Sequence, residues 1–278
     1  MNQKLTGKRK AVYLLFVAAF LFVMISPMLY MISASFMTEA DLNRIPPRIL
    51  PSAGTIKNYA AAFIQQPLLR YVFNSFVITI IAVAICISAG CMASYALTRT
   101  NIRFKTVFLL FVLTISLLPT ITLINPIFKM YSRLGLLNTH IGLALIVSVL
   151  DLPMTIWFLT AVFKGIPVSF EESAKLDGAN MFQMFFYIIL PLLKASIFSI
   201  SILVFIGAWN RFLLSQVLNQ YEQYRTVVVG LTLYQTTHTI PFGVVAAAGM
   251  ITVLPLMIMV LIFQKNILGG IMEGGVKE

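Results

Sequence analysis

The sequence predicts an all-α, polytopic integral membrane protein with six transmembrane helices and one helix–turn–helix loop on the cytoplasmic side. Three observations lead there. Of the 278 residues, 59% are hydrophobic and 10% are Asp, Glu, Lys or Arg, whereas soluble domains carry roughly 25% charge, so there is too little charge to clothe a water-facing surface. The apolar residues gather in long uncharged runs, and a helix rising ~1.5 Å per residue needs about twenty of them to cross the hydrocarbon. The net charge of +11, from 20 basic and 9 acidic residues, would suggest nucleic acid in a soluble chain. In an apolar chain it marks Lys and Arg held in cytoplasmic loops, and no nucleic-acid partner is expected.

The first run, 11–37, follows the basic stretch Lys8-Arg9-Lys10. It far exceeds the short apolar core of a secretory signal and reads as a retained first helix. The second, 71–98, holds both cysteines, Cys86 and Cys91, on different sides of a helix. With no disulfide framework and no metal spacing, they read as small buried hydrophobes. The third run is 106–128, the fourth is 141–163 with Asp151 inside it, the fifth is 190–210 with Lys194 near its start, and the sixth is 240–264.

Loop charges give the orientation. Lys4, Lys8, Arg9 and Lys10 at the N-terminus, and Arg99, Arg103 and Lys105 in the second loop, belong in the cytoplasm. An even number of crossings returns the tail, 265–278 with Lys265 and Lys277, to that side. The first loop, with its Ile45-Pro46-Pro47 turn, and the segment from Arg211 to Thr239 then lie outside. Residues 1–278 read as one transmembrane domain.

The cytoplasmic segment 164–191 does more than join two crossings. Ser169 followed by Glu172 forms a capping-box pattern, so a short helix is expected from Phe170. Gly178, beside Asp177, offers the left-handed residue that ends it. Asn180 and Gln183 make a similar start signal for a second helix, in which Phe182, Phe185, Phe186 and Ile189 fall near helical spacing before Pro191. Taken alone, a capping box is a common device that only starts a helix.

Glu172-Ser173-Ala174, three residues, Gly178, nine residues, then Ile188-Ile189-Leu190-Pro191 resembles the EAA loop of permeases in binding-protein-dependent ABC importers. The flanking Ile166-Pro167 and Leu176-Asp177-Gly178-Ala179 resemble the carbohydrate branch, the maltose-type oligosaccharide permeases, in the six-helix member of the permease pair. Matching stretches span most of the chain: Thr55-Ile56-Lys57-Asn58-Tyr59, Asn74-Ser75, Tyr95-Ala96-Leu97 with Arg99, Leu134-Gly135-Leu136, Trp209-Asn210 and Gly274-Gly275-Val276-Lys277. Two positions depart from the family: Ser173 replaces an alanine, small for small, and Asp151 stands where an apolar or small residue is usual.

The resemblance implies a type I ABC importer permease fold and a coupling role for Glu172, Ser173, Ala174, Asp177, Gly178 and Ala179. Small residues there permit close approach to an ATPase, and the carboxylates meet its basic groups. It also implies the partners: a second homologous permease, two copies of an ABC ATPase and an extracytoplasmic solute-binding protein, around a chain in a prokaryotic cytoplasmic membrane. The tail from Gly269 to Glu278 resembles a segment that reaches toward the paired ATPases, which implies a secondary coupling role; its plainer reading is a flexible end.

No G-x-x-x-x-G-K-[ST] phosphate loop occurs, and Gly7-Lys8 leads only into the first membrane run. The chain is therefore read as no enzyme and as holding no cofactor, with ATP and Mg on the partner ATPase. His140 and His238 stand apart and read as loop or boundary residues. Polar residues within the apolar runs, Asn74, Ser75, Thr114, Asn125, Asp151 and Asn210, are candidates for lining a solute path or for bonding a neighbouring helix. Asp151 is the costliest to hold in hydrocarbon and is read as a pathway residue or a member of an internal pair. Trp209 fits a sugar-stacking face or an interfacial anchor. The alternatives are an importer for a non-sugar solute and an ion-gradient-driven secondary transporter. The second is disfavoured because Asp151 is almost the only intramembrane ionisable residue.

Overall fold

The computed structural model describes residues 7–46, 48–235 and 241–275. Lys4, Pro47, His238, Ile240 and 276–278 lie outside the described residues, as do the tail's side chains from 265 on. Among the described residues every regular element is helical. In chain order the α-helices are α1 (Lys8–Ser35), α2 (Glu39–Leu42), α3 (Lys57–Gln65), α4 (Leu68–Arg99), α5 (Lys105–Ser116), α6 (Thr120–Leu134) and α7 (His140–Lys164). They continue with α8 (Ser169–Leu176), α9 (Met181–Gln183), α10 (Leu190–Leu192), α11 (Lys194–Trp209), α12 (Phe212–Leu218), α13 (Val227–Gly230) and α14 (Phe242–Gly275).

Four helices are long and apolar enough to cross a membrane: 9–35 in α1, all of α4 and α7, and 242–264 in α14. Two further pairs meet the same test but are bent, α5 with α6 by 89° and 181–192 with α11 by 77°; each bent pair taken as one span gives six. The third run, expected as one helix over 106–128, is thus broken. Pro119 is the cause: it disfavours helical backbone at Leu118 and caps α6 in extended conformation. In the fifth run Pro191 can offer no N–H to the carbonyl of Tyr187. The chain there widens into a π turn over Met184–Ile189 and kinks at Leu193. Within the expected span 190–210 the straight helix α11 begins at Lys194, and Leu190–Leu192 belongs to the bent segment before it.

The chain divides into two compact units, Met1–Leu68 with Leu231–Leu254, and Leu69–Gly230 with Pro255–Glu278. In the first, the side-chain amide of Asn58 donates to the carbonyls of Ser35 (3.0 Å) and Met37 (2.7 Å), closing the end of α1. Tyr59 shares a hydrogen bond with the Ser35 hydroxyl at 2.9 Å. These contacts give the stretch 55–59 its structural work. In the following loop Asp41 accepts from the Ser52 hydroxyl (2.7 Å) and backbone N–H (3.2 Å), and Arg48 lies 3.5 Å away. The Ser52 hydroxyl leads in holding the Asp41 carboxyl below its usual pKa.

In the second unit α4 and α7 approach closely because Gly90 lacks a side chain: a Cβ there would stand 2.9 Å from Thr155 Cγ2 and 3.0 Å from Leu159 Cδ1. Small hydroxyls bond across the gap. Ser94 Oγ donates to the Ile156 carbonyl (3.0 Å), and Thr160 donates to Ser94 Oγ (3.2 Å). Cys86 and Cys91 are buried free thiols in the same core. The segment after Arg211, expected as an outer loop, folds into α12 and α13 with 3-10 turns at Glu222–Tyr224 and Leu231–Tyr234.

Candidate functional site

The segment 164–191 folds as helix, glycine turn and helix. The helix α8 starts one residue earlier than the capping box implied. Val168 is already helical at φ −65°, and the N–H groups of Glu171 and Glu172 donate to its carbonyl, so Ser169 lies inside the helix and makes no cap bond. Pro167, with φ fixed in advance, closes the first turn in its place. At the other end the expectation and the structure agree. Gly178 has φ +83°, its N–H donates to Lys175 O, and Ala179 N–H donates to Ala174 O, the paired bonds of a Schellman end. Asn180 and Gln183 form a complete capping box, each side chain bonded to the other's backbone N–H at 2.9 Å.

One side of this unit is core. Ala174, Met184, Phe185 and Ile189 are buried with Tyr95 of α4, Phe163 of α7 and Ile200 of α11, and Ala179 packs against the same cluster. Ala174 and Ala179, read from sequence as docking residues, therefore serve the internal packing. Glu172, Ser173, Asp177 and Gly178 are exposed together at the turn. The Glu172 carboxylate, freed from capping, has no hydrogen bond or ion pair among the described residues. The same loop also exposes large apolar side chains: Leu176 is 90% exposed, Tyr187 78% and Phe182 76%. Of the four side chains near helical spacing, Phe185 and Ile189 are buried, with Met184 beside them in the π turn, and Phe182 and Phe186 are exposed.

The polar membrane candidates separate. Asp151 is ion-paired with Arg211, which sits just past the end of α11, while Asp151 Oδ2 is buried with no partner among the described residues. The carboxylate borders a cavity of about 120 Å³ whose other walls are mostly apolar, from Met154 and Phe158 of α7 to Leu203 and Val204 of α11, with Thr155 the other polar side chain. Asn74 is buried, and its polar atoms are occupied: Nδ2 donates to the carbonyls of Gln223 (3.0 Å) and Arg225 (2.8 Å), and Oδ1 meets His140 Nε2 (2.9 Å). A solute could reach it only by breaking those bonds, so Asn74 is corrected to an internal tie. His140 belongs to the same tie.

Ser75 Oγ accepts from the Val227 N–H, and Thr114 bonds back to Leu110 O within its own helix. Trp209 is corrected as well. It is 2% exposed and its ring stacks on Phe205 at 5.7 Å, leaving no open face for a sugar and no place at an interface. Asn125 and Asn210 are exposed, and Asn210 donates to Ile206 O at 2.8 Å.

Asp151 is a member of an internal pair, one of the two readings expected of it, but the partners in two charged pairs were not legible in advance. Arg211 joins Asp151 across 60 positions, and Arg99 joins Glu171, not Glu172, across 72. The only local signals were an arginine just beyond an apolar run and the doublet Glu171-Glu172, of which sequence reading used the second member.

The family described as "Binding-protein-dependent transport system inner membrane component" matches residues 86–271. The sulfoquinovosyl glycerol transport permease of Agrobacterium fabrum is 35% identical over 251 residues, covering 90% of this chain and 88% of that protein. The trehalose/maltose transport permease of Thermococcus litoralis is 34% identical over 270 residues, covering 95% and 96%. In fold, a crystal structure of a bacterial ABC transporter involved in alginate import matches with TM-score 0.78 at 22% identity, covering 95% of this chain and 99% of that one. The chain therefore belongs to the family of binding-protein-dependent transport system inner membrane components, as a membrane-spanning ABC importer permease.

Proposed function

We propose that this chain, with a second related permease, encloses the path by which a sugar or oligosaccharide enters the cytoplasm of a prokaryote. Two copies of an ABC ATPase bind below, holding ATP and Mg, and a solute-binding protein delivers the ligand from outside. Both termini lie in the cytoplasm. The sugar reading rests on the two relatives matched almost end to end, which are named as carriers of sulfoquinovosyl glycerol and of trehalose/maltose.

The observation that carries the coupling role is the exposed stretch around the glycine turn: Glu172, Ser173, Asp177 and Gly178 are uncovered, as are Leu176 and Phe182 within the same eleven residues, 172–182. Exposed apolar side chains together with the carboxylates of Glu172 and Asp177 suit a cleft with basic margins. An ion-gradient mechanism finds less support, because Arg211 takes up the charge of Asp151, leaving no free carboxylate in the spans among the described residues.

Copurification tests the assembly. Tagged chain extracted in mild detergent is expected to bring with it a second permease and an ATP-hydrolysing subunit in twofold amount. A chain that purifies alone, folded and monodisperse, and still moves solute would refute the reading.

A further inference from the structure

The stretch Tyr95-Ala96-Leu97 with Arg99 is left without a role by the coupling loop as described so far. Tyr95 and Arg99 stand four residues apart near the end of α4, so they share one face of that helix. The ring of Tyr95 lies between Phe163 of α7 (centroids 6.1 Å apart) and Phe185 of the π turn (5.1 Å). One turn further on, Arg99 Nε donates to Glu171 in the first turn of α8, and its Nη2 donates to the Ile166 carbonyl at 2.9 Å. Both charged side chains are withdrawn from water, 11% and 5% exposed.

One face of α4 therefore grips the loop at three places: the entry at Ile166, the first helix at Glu171 and the second helix at Phe185. A single guanidinium supplies two of these grips. Covalently the loop continues α7 and leads into α11, yet its buried charge is held by α4. A buried pair with a second bond to backbone fixes direction as well as contact, which apolar packing of the same volume does not.

We propose that Arg99 and Glu171 are positioning residues that make the coupling loop and α4 move as one body, so that displacement of the docked turn is delivered to α4 through this pair. The proposal rests on the coupling reading above. Gly90 and the Ser94 hydroxyl bonds then carry the motion from α4 to α7.

The test uses the complete reconstituted transporter and reads solute taken up per ATP hydrolysed. Replacing both partners, Arg99→Met/Glu171→Met, removes the directional grip without stranding a buried charge. The double variant is expected to assemble and hydrolyse ATP, with uptake per ATP lower by about tenfold, the scale of a lost coupling contact. Glu171→Gln keeps an acceptor for Arg99 and is expected to show a smaller fall in the same ratio. Wild-type uptake per ATP in the assembled double variant would overturn the proposal. So would failure of both variants to assemble, which would assign the pair to folding alone. Gly178→Glu serves as the control. If it too leaves coupling intact, the docking role of the loop fails; if it uncouples while the double variant does not, only the role of this pair fails.

Discussion

Gly178→Glu is expected to abolish solute-stimulated ATP hydrolysis by the assembled transporter while the chain still inserts in the membrane. A Cβ at Gly178 would meet nothing within 4 Å, so the substitution begins in open space. It does place a side chain at φ +83°, which costs about 1–2 kcal/mol in local backbone energy. Gly178→Ala carries that same strain without the bulk or the charge and separates the two effects. It is expected to retain most of the stimulated rate, whereas the glutamate, pressed into a partner's cleft, should lower it by about tenfold or more. Glu172→Lys gives an independent line. Because Val168 rather than Ser169 heads α8, and the Glu172 carboxylate is exposed, reversing its charge disturbs no cap and costs the first turn of α8 only about 0.3–1 kcal/mol of helix-end electrostatics, so its main effect falls on the interface. Stimulated hydrolysis and ATPase copurification, measured together, check both substitutions. Normal values in both would remove the loop from the coupling path.

Asp151→Leu is expected to show the second largest effect, in two separable parts. It strands Arg211, whose side chain is 28% exposed, and losing a hydrogen bond to a charged partner costs about 1.5–3 kcal/mol, with solvent reducing the loss at the exposed end. A lower yield of assembled complex should follow. Asp151→Leu/Arg211→Met removes the stranded charge and should recover assembly. If the carboxylate also offers its unpartnered Oδ2 toward the path, uptake by the recovered double variant should still fall, by about tenfold for a lost charged hydrogen bond. Asp151→Asn, which keeps size and one acceptor, should assemble and shift solute preference. Uptake measured per assembled complex decides. Wild-type rate and selectivity in the double variant would make the pair purely structural, a tie between α7 and the end of α11.

These expectations show what a sequence carries on its face. Crossings were legible because an uncharged run of membrane length has few other fates, and Gly178 and the Asn180–Gln183 box were legible because each acts within a few residues of itself. Local signals failed where two competed. Ser169 carried a cap signal, yet Val168 before it is already helical and heads α8. Pro119 sits in an apolar run whose composition says span while its ring says break, and the break prevailed. The charged pairs were hidden for a different reason. Asp151 with Arg211 and Arg99 with Glu171 are joined only by packing of distant helices, and neither spacing carries any periodic trace. The fates of Asn74 and Trp209 likewise depended on which side of a helix met a neighbour. For Trp209 that neighbour was Phe205, one turn away on its own helix, a spacing that could have been noticed.

On the function proposed, this chain moves sugar on energy supplied by another subunit. The most direct test of that function is uptake by proteoliposomes containing the chain, its mate and the ATPase, with binding protein and labelled oligosaccharide on the outer side. Accumulation should require both ATP hydrolysis and the binding protein, and should be unchanged by ionophores that collapse proton and sodium gradients. Accumulation that follows an imposed ion gradient, without ATP or the ATPase, would contradict it.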